Sequence, residues 1–193
     1  TINIENATFT NNSVKGCGAI FLMDQSNAGN ASAINVYGGT FTDNACLLSS
    51  TSYGSGSIAR LKSPGALHFY GGTFANNTTA AGKNYEGIYL RDVSQKLGSN
   101  VYVHKLSADL NVYLTPYSAK VFMSRIVVDS ALTHTISVYI ADNRVPAKGM
   151  PLVVGTDEYK LTEADLAMVK SANPKATFYL DTENNAICIA KAE

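Results

Sequence analysis

The feature that most constrains the fold is an eleven-residue segment that occurs three times in the first half of the chain. Its copies begin at Ile2, Ile34 and Leu67 and read INIENATFTNN, INVYGGTFTDN and LHFYGGTFANN. The copies therefore start 32 and 33 residues apart. Near-identical segments at a constant spacing of about 20 to 50 residues are typical of stacked structural repeats.

Each copy has the pattern of two short strands separated by a turn. Apolar residues first alternate with their neighbours, a Gly-Gly pair follows in two copies, and Thr-Phe then begins a second strand. Equivalent side chains should stack from repeat to repeat, with phenylalanines in the core and asparagine amides hydrogen-bonded along a corner. These side chains are Phe9, Phe41, Phe74, Asn12, Asn44 and Asn77.

Further strands complete each repeat. Apolar segments at 15–22, 54–61 and 86–90 follow the copies, and from Asn100 the strands come closer together, at Asn100–Val103, Asn111–Leu114 and Lys120–Met123. Three or more short strands per period indicate a parallel β-helix, in which turns of chain stack ~4.8 Å apart. Crossovers between parallel strands are right-handed. The sequence therefore predicts a mainly β fold, a right-handed parallel β-helix over residues 1–131.

Residues 132–193 have a different pattern and are expected to form a small α/β cap over the open edge of the last coil. Thr162 is the predicted N-cap of one helix, and a turn-rich segment predicts a terminal β-hairpin. The predicted elements are strands at Thr135–Ile140 and Pro151–Val154, a helix at Leu161–Lys170, and strands at Ala176–Leu180 and Ala186–Ala190.

Two motifs in the repeats resemble those of a known family. Phe9–Asn12 followed by Gly18–Ile20 resembles the Phe-x-x-Asn and Gly-Gly-Ala-Ile repeats of polymorphic bacterial surface proteins, with Cys17 in place of the first glycine. The Tyr-Gly-Gly-Thr-Phe-x-x-Asn form is similar to repeats in large surface proteins of gut Firmicutes. These families are extracellular right-handed β-helices, so the resemblance implies an extracellular protein on the bacterial cell surface or secreted.

Charge and composition narrow the class of partner. The 15 basic and 15 acidic residues cancel, so the chain lacks the basic field that nucleic acid requires. No apolar run reaches ~18 residues, and no membrane insertion is expected. No cofactor is predicted, and the scattered cysteines and histidines do not have metal-ligand spacing. Cys17, Cys46 and Cys188 are expected to be small buried hydrophobes, with a Cys17–Cys46 disulfide as the alternative.

A charged set of side chains is one candidate site. Asp24, Lys62 and Asp92 each lie four residues after an isoleucine of an apolar segment. If those isoleucines are equivalent, the three charges stack in adjacent coils. They would form either a catalytic carboxylate pair flanking a lysine or a surface ladder of alternating charge, and the ladder is the preferred interpretation.

Aromatic side chains are the second candidate site. A flat ring with a hydroxyl suits the faces of sugars, and five tyrosines on or beside the loop-bearing coils are candidates for ligand binding: Tyr37, Tyr53, Tyr70, Tyr85 and Tyr89. The histidines His68, His104 and His134 are expected to be packing residues, because nothing in the sequence places a carboxylate beside them.

Two functions of different class follow from these features. The favoured one is a non-enzymatic extracellular surface module, a stalk or adhesin segment that binds a host or cell-wall glycan or a surface protein. The alternative is a carbohydrate-active β-helix, either a polysaccharide lyase or hydrolase or a carbohydrate-binding module. Because the chain opens inside a repeat, further coils of a longer parent chain are expected at the edge formed by Ile2 and Ile4.

Overall fold

The computed structural model describes residues 1–15, 20–24, 32–47, 57–62, 64–79, 87–92, 94, 96–118, 122–140, 148–172 and 176–191. Within these ranges the chain is mainly β and has a single short helix. The elements are β1 (Ile2–Ile4), β2 (Ala7–Thr10), β3 (Ser13–Val14), β4 (Phe21–Asp24), β5 (Ala33–Val36), β6 (Gly39–Thr42), β7 (Ala45–Cys46), β8 (Ala59–Lys62), β9 (Ala66–Phe69), β10 (Thr73–Ala75), β11 (Thr78–Thr79), β12 (Ile88–Arg91), β13 (Asn100–Val103), β14 (Leu110–Thr115), β15 (Arg125–Val128), β16 (Ile136–Ile140), β17 (Pro151–Gly155), α1 (Glu163–Met168), β18 (Val169–Ser171), β19 (Ala176–Asp181) and β20 (Ala186–Lys191).

The described strands form four sheets, and each sheet collects the equivalent strands of successive passes of the chain. Sheet A has the order β1-β5-β9-β13-β15-β17-β20-β19, and sheet D has the order β4-β8-β12-β14-β16-β18. Sheets B (β2-β6-β10) and C (β3-β7-β11) have three strands each. Pairing is parallel throughout sheets B, C and D, whereas sheet A is mixed because β20 runs antiparallel to both β17 and β19.

The repeat predicted from the sequence sets the register of this pairing. Ile2 pairs with Ile34, and Ile34 pairs with Leu67. The phenylalanine stack is confirmed: ring centroids lie 5.3 Å apart for Phe9 and Phe41 and 4.7 Å apart for Phe41 and Phe74, with nearly parallel rings. These spacings match the ~4.8 Å between neighbouring strands.

The asparagine ladder is also confirmed. Asn12 Nδ2 donates to Asn44 Oδ1 across 2.8 Å, and Asn44 Nδ2 donates to Asn77 Oδ1 across 2.9 Å. The backbone N–H groups of Asn12 and Asn44 donate to the same oxygens. The residue before each asparagine has a left-handed φ between 54 and 58°, a conformation that asparagine and aspartate tolerate better than other residues with a Cβ.

One core lies between the sheets. Alternate residues of β5, β9, β13 and β15 are buried, as the two-residue period of a strand requires when one face is covered. Val36, Leu67 and Ile126 from sheet A join Phe41 from sheet B and Leu90 from sheet D in a single apolar cluster. The opposite residues of the same sheet A strands therefore point outward.

The strand predicted at Lys120–Met123 is instead formed further along the chain, at Arg125–Val128. Phe122 and Met123 are outside any strand, and the strand β15 begins at Arg125; residues 120 and 121 lie outside the described residues. The physical reason is the buried carboxylate of Asp92, which accepts hydrogen bonds from the backbone N–H groups of Met123 and Ser124. These bonds take donors that a strand would need for its ladder.

The predicted helix is shorter than expected. Thr162 is its N-cap and forms a capping box with Asp165, as its sequence suggested. The helix ends at Met168 because Val169 and Lys170 pair with β16 and continue sheet D. The terminal hairpin is confirmed by the antiparallel pair β19–β20.

Parallel pairing extends beyond residue 131. Strand β17 pairs with β15, and β16 lies between β14 and β18. The last parallel strand of sheet A is followed by the antiparallel hairpin, which forms the end of that sheet. The division of the chain into domains at residue 131 stays a prediction.

Candidate functional site

A cluster of aromatic, histidine and carboxylate side chains lies on the outward face of sheet A. The last residue of β5, β9, β13 and β15 is buried in each case, so the residue that follows it points away from the core. These four residues, which we call the outer column, are Tyr37, Tyr70, His104 and Asp129. His68 and Tyr102, which pair directly across β9 and β13, lie beside them and form the inner column.

The rings of both columns stack face to face. Ring centroids are 4.7 Å apart for Tyr37 and Tyr70, 3.9 Å for Tyr70 and His104, and 4.3 Å for His68 and Tyr102. Stacking follows from the strand spacing, since equivalent side chains on parallel strands are offset by one strand width. The faces of Tyr70 and His104 are therefore partly covered by neighbours, and no described aromatic ring covers the second face of Tyr37.

The two histidines and the aspartate form a chain of hydrogen bonds. Asp129 Oδ2 lies 2.5 Å from His104 Nδ1, and His104 Nε2 lies 3.0 Å from His68 Nδ1. When both rings are neutral, a proton on His104 Nδ1 faces the carboxylate, and Nε2 is left to accept the Nδ1 proton of His68. Burial, and then the neighbouring His104, lower the pKa of His68 below its ordinary value of 6.5. His68 therefore binds a proton less readily than a free imidazole does.

The expectation that no carboxylate lies beside a histidine is wrong for His104. Asp129 is 25 residues further along the chain and reaches His104 because β13 and β15 are neighbours in sheet A. The sequence does contain a signal for Asp129. It follows the last apolar residue of its strand, as Tyr37, Tyr70 and His104 follow the last apolar residues of the equivalent strands. A strand at Lys120–Met123 does not predict this alignment, because Asp129 follows a strand only when that strand is Arg125–Val128.

The five candidate tyrosines are in different environments. Tyr37 and Tyr70 are both exposed on the outer column. Tyr89 is buried and stacks on Tyr113 in sheet D at 5.2 Å, so its ring is not presented to solvent. Tyr53 and Tyr85 lie outside the described residues. The structure therefore brings together two of the five predicted tyrosines and adds Tyr102 to them.

Only part of the charged set is aligned as expected. Asp24 and Lys62 are opposite one another on β4 and β8. Asp92 is displaced by one residue, because Ile88 pairs with Ala59 and not with Ile58. Ile88 is therefore not equivalent to Ile58, and the three charges do not form one ladder.

Asp92 has a clear structural environment instead. Its side chain is buried. Oδ1 accepts hydrogen bonds from the backbone N–H and the hydroxyl of Ser124, both at 2.7 Å, and Oδ2 accepts from the backbone N–H groups of Tyr117 and Met123, both at 3.0 Å. These four hydrogen bonds satisfy both oxygens of the buried carboxylate. Asp92 therefore holds the chain before β15 in place.

The described part of the chain contains no group of three or more His, Cys, Asp and Glu side chains that could hold a metal ion. Cys46 and Cys188 are buried, as expected, and Cys17 lies outside the described residues, so its pairing stays open. In the same ranges, no helix combines the length and apolar character needed to cross a bilayer.

Comparison with other proteins gives this site no precedent. Neither a protein-family model, nor a curated protein, nor a solved structure matches the chain.

Proposed function

We propose that the chain is a right-handed parallel β-helix that serves as a non-enzymatic extracellular module of a bacterial surface or secreted protein. The strand order supports this architecture, because four sheets each collect one strand from successive passes. The hairpin β19–β20 with α1 is the proposed α/β cap. The extracellular location is supported by the resemblance of the motif at Phe9–Asn12 to bacterial surface repeats. Antibodies against the chain should label intact, unpermeabilised cells of the source organism.

The module's proposed task is to bind a glycan through the outward face of sheet A. The single observation that carries this proposal is the outer column, in which Tyr37 and Tyr70 are exposed and His104 and Asp129 continue the line. The exposed ring of Tyr37 can stack on a sugar ring. Tyrosine hydroxyls can donate to and accept from sugar hydroxyls, and the Asp129 carboxylate can accept from them. Four neighbouring strands span ~14 Å, which suits a short oligosaccharide lying across the strands.

A glycan array with matched variants tests the proposal. Tyr37 and Tyr117 are equally exposed, at 46%, but only Tyr37 lies in the outer column. Tyr37→Ala should weaken binding to the recognised glycan by at least about ten-fold, whereas Tyr117→Ala should leave it unchanged. Equal binding by the two variants, or no glycan bound by the wild-type chain, would contradict the proposed function.

A carbohydrate-active enzyme is the second candidate, and the His68–His104–Asp129 chain is the observation that favours it. An imidazole oriented by a carboxylate is a common general base. Incubation of the chain with neutral and acidic polysaccharides, followed by an assay for new reducing ends or unsaturated products, distinguishes the two functions. Cleavage by the wild-type chain that is lost in Asp129→Asn would establish the enzyme, and glycan binding without cleavage supports the module.

A further inference from the structure

The path of the chain changes abruptly between its third and fourth passes. In the third pass the chain forms β10 and β11 between β9 and β12. In the fourth pass it crosses from β13 to β14 through residues 104–109 alone. Among the described strands, sheets A and D therefore continue beyond this point, whereas sheets B and C end at β10 and β11. An end strand presents backbone donors and acceptors along its outer edge.

A cavity of 410 Å³ lies at this step. Phe74, Asn77 and Thr78 line it from the third pass, and Asp109 and Asn111 line it from the fourth. The connecting segment contacts the start of the edge, where the Ser107 hydroxyl donates to the Gly72 carbonyl. Residues 74–78 all line the cavity.

Both side-chain ladders of the first three passes end at this cavity. Phe74 is the last ring of the phenylalanine stack, and within the described ranges no further ring continues it. Asn77 is the last member of the asparagine ladder and is 8% exposed. Its Nδ2 donates to the Phe41 carbonyl across 2.9 Å. Asn12 and Asn44 use the backbone N–H and Nδ2 to reach the Oδ1 of the next asparagine, but the described fourth pass supplies no such oxygen to Asn77.

We propose that the cavity binds an extended peptide segment, which lies parallel to β10 along residues 74–78. The chain itself specifies the chemistry of this partner. An aromatic residue would stack on Phe74, and an asparagine three residues later would place its Oδ1 on the N–H groups of Asn77, as Phe41 and Asn44 do one pass earlier. The partner is thus a peptide with the pattern Phe-x-x-Asn.

A peptide fits this site better than a sugar for two reasons. The regularly alternating donors and acceptors of a parallel edge are matched by another backbone. Phe74 and Asn77 are three residues apart on one stretch of chain, as Phe41 and Asn44 are one pass earlier. A peptide can match that spacing because the ladder already repeats between passes 32 and 33 residues apart. The site is also separate from the outer column on sheet A, so it does not depend on the proposed glycan binding.

The first test uses a peptide taken from the chain's own second repeat. An acetylated and amidated peptide of residues 38–45, GGTFTDNA, is titrated into the isotope-labelled full chain and followed by backbone amide NMR. We expect shifts at residues 74–78. Peptides in which Phe or Asn is replaced by Ala should bind at least about ten-fold more weakly.

Matched protein variants then locate the binding. Asn111 lines the cavity, and Ser137 occupies the paired position on the next strand outside it. Asn111→Trp should block the peptide, and Ser137→Trp should leave binding unchanged. The proposal is overturned if the peptide shifts no amide at 74–78, if all peptides bind alike, or if Asn111→Trp binds as the wild type does. Shifts at 74–78 caused by cellohexaose and not by the peptide would also overturn it.

Discussion

Asn44 donates from its buried side-chain amide to Asn77 Oδ1 across 2.9 Å, although 33 residues separate the two. The same amide donates to the Phe9 carbonyl, and its oxygen accepts from Asn12. One side chain of the second pass therefore satisfies polar groups of the first and the third. Buried groups that lose their partners cost about 1 to 3 kcal/mol each.

Asn44→Ala should therefore lower the free energy of unfolding by about 3 kcal/mol, because it removes four side-chain hydrogen bonds, one of them to the buried Asn77. Asn35→Ala is the matched control, since Asn35 donates to Asn3 in an exposed ladder of the same kind. We expect the control to cost under about 0.5 kcal/mol. Urea denaturation of both variants provides the measurement, and equal losses would show that the buried ladder has no special role.

Acidification should destabilise the fold through His68. Its pKa in the folded chain is lowered by burial and by His104 from an ordinary value of 6.5. The unfolded chain therefore binds the proton more readily, and the stability that neutral His68 contributes is present above pH 6.5 and lost as pH falls through the lower folded value.

Denaturant unfolding between neutral and mildly acidic pH measures this effect. The free energy of unfolding should fall with pH in the wild type and in His134→Gln, and it should fall less steeply in His68→Gln. A proton NMR titration that places the His68 pKa above 6.5 would reverse the sign and contradict the prediction.

The repeated segments allowed the early part of the fold to be predicted from the sequence. Phe41 and Asn44 have counterparts at constant spacing, and stacking places equivalent residues of successive passes side by side. The later part could not be predicted in the same way, because the spacing falls to 25 residues between Asn100 and Arg125. Without a repeated segment, an apolar pattern alone did not show that Asp92 holds Met123 outside a strand.

The candidate site was only partly predictable for the same reason. Tyr37 and Tyr70 belong to the repeated segments and are predictable from them, whereas Asp129 is a neighbour of His104 only because β15 pairs with β13. The predicted register of β12 differs from the structure by one residue, because Ile88 pairs with Ala59 and not with Ile58. Asp92 is therefore not aligned with Lys62. Register errors of one residue move a side chain to the opposite face of a strand.

The start of the helix depends on the buried carboxylate of Asp165. Burial alone would raise its pKa, but hydrogen bonds from Leu132 N–H, the Thr162 hydroxyl and N–H, and the Tyr159 hydroxyl lower it below its usual value. Burial and the bond to Asp165 raise the pKa of Tyr159 to about 12. Neutral Tyr159 therefore contributes stability below pH 10 that is lost as pH rises through about 12.

Asp165→Asn should lower the pKa of Tyr159 towards its ordinary value, because the carboxylate that disfavours tyrosinate is gone. It should also cost about 2 kcal/mol of unfolding free energy, since an amide cannot accept all four bonds. Tyrosinate absorbance against pH measures the first effect. Tyr159→Phe is the control that should remove the transition near 12, and an unchanged transition in Asp165→Asn would contradict the assignment.

The edge of sheet A at β1 should be a site of self-association, and we propose Ile2 as its main contact. Strand β1 is the first strand of the sheet, and Ile2 is 59% exposed. An edge strand with an exposed apolar residue favours pairing with another chain. Ile4 is a poorer target for mutation because it is buried and its carbonyl accepts from the Tyr37 N–H within the sheet.

Ile2→Lys should therefore raise the monomer fraction in sedimentation velocity, since a charge on an edge opposes pairing. Leu47→Lys, at a residue 45% exposed and away from this edge, is the control that should leave association unchanged. A wild-type chain that is monomeric at all concentrations, or equal effects of the two substitutions, would show that this edge does not mediate association.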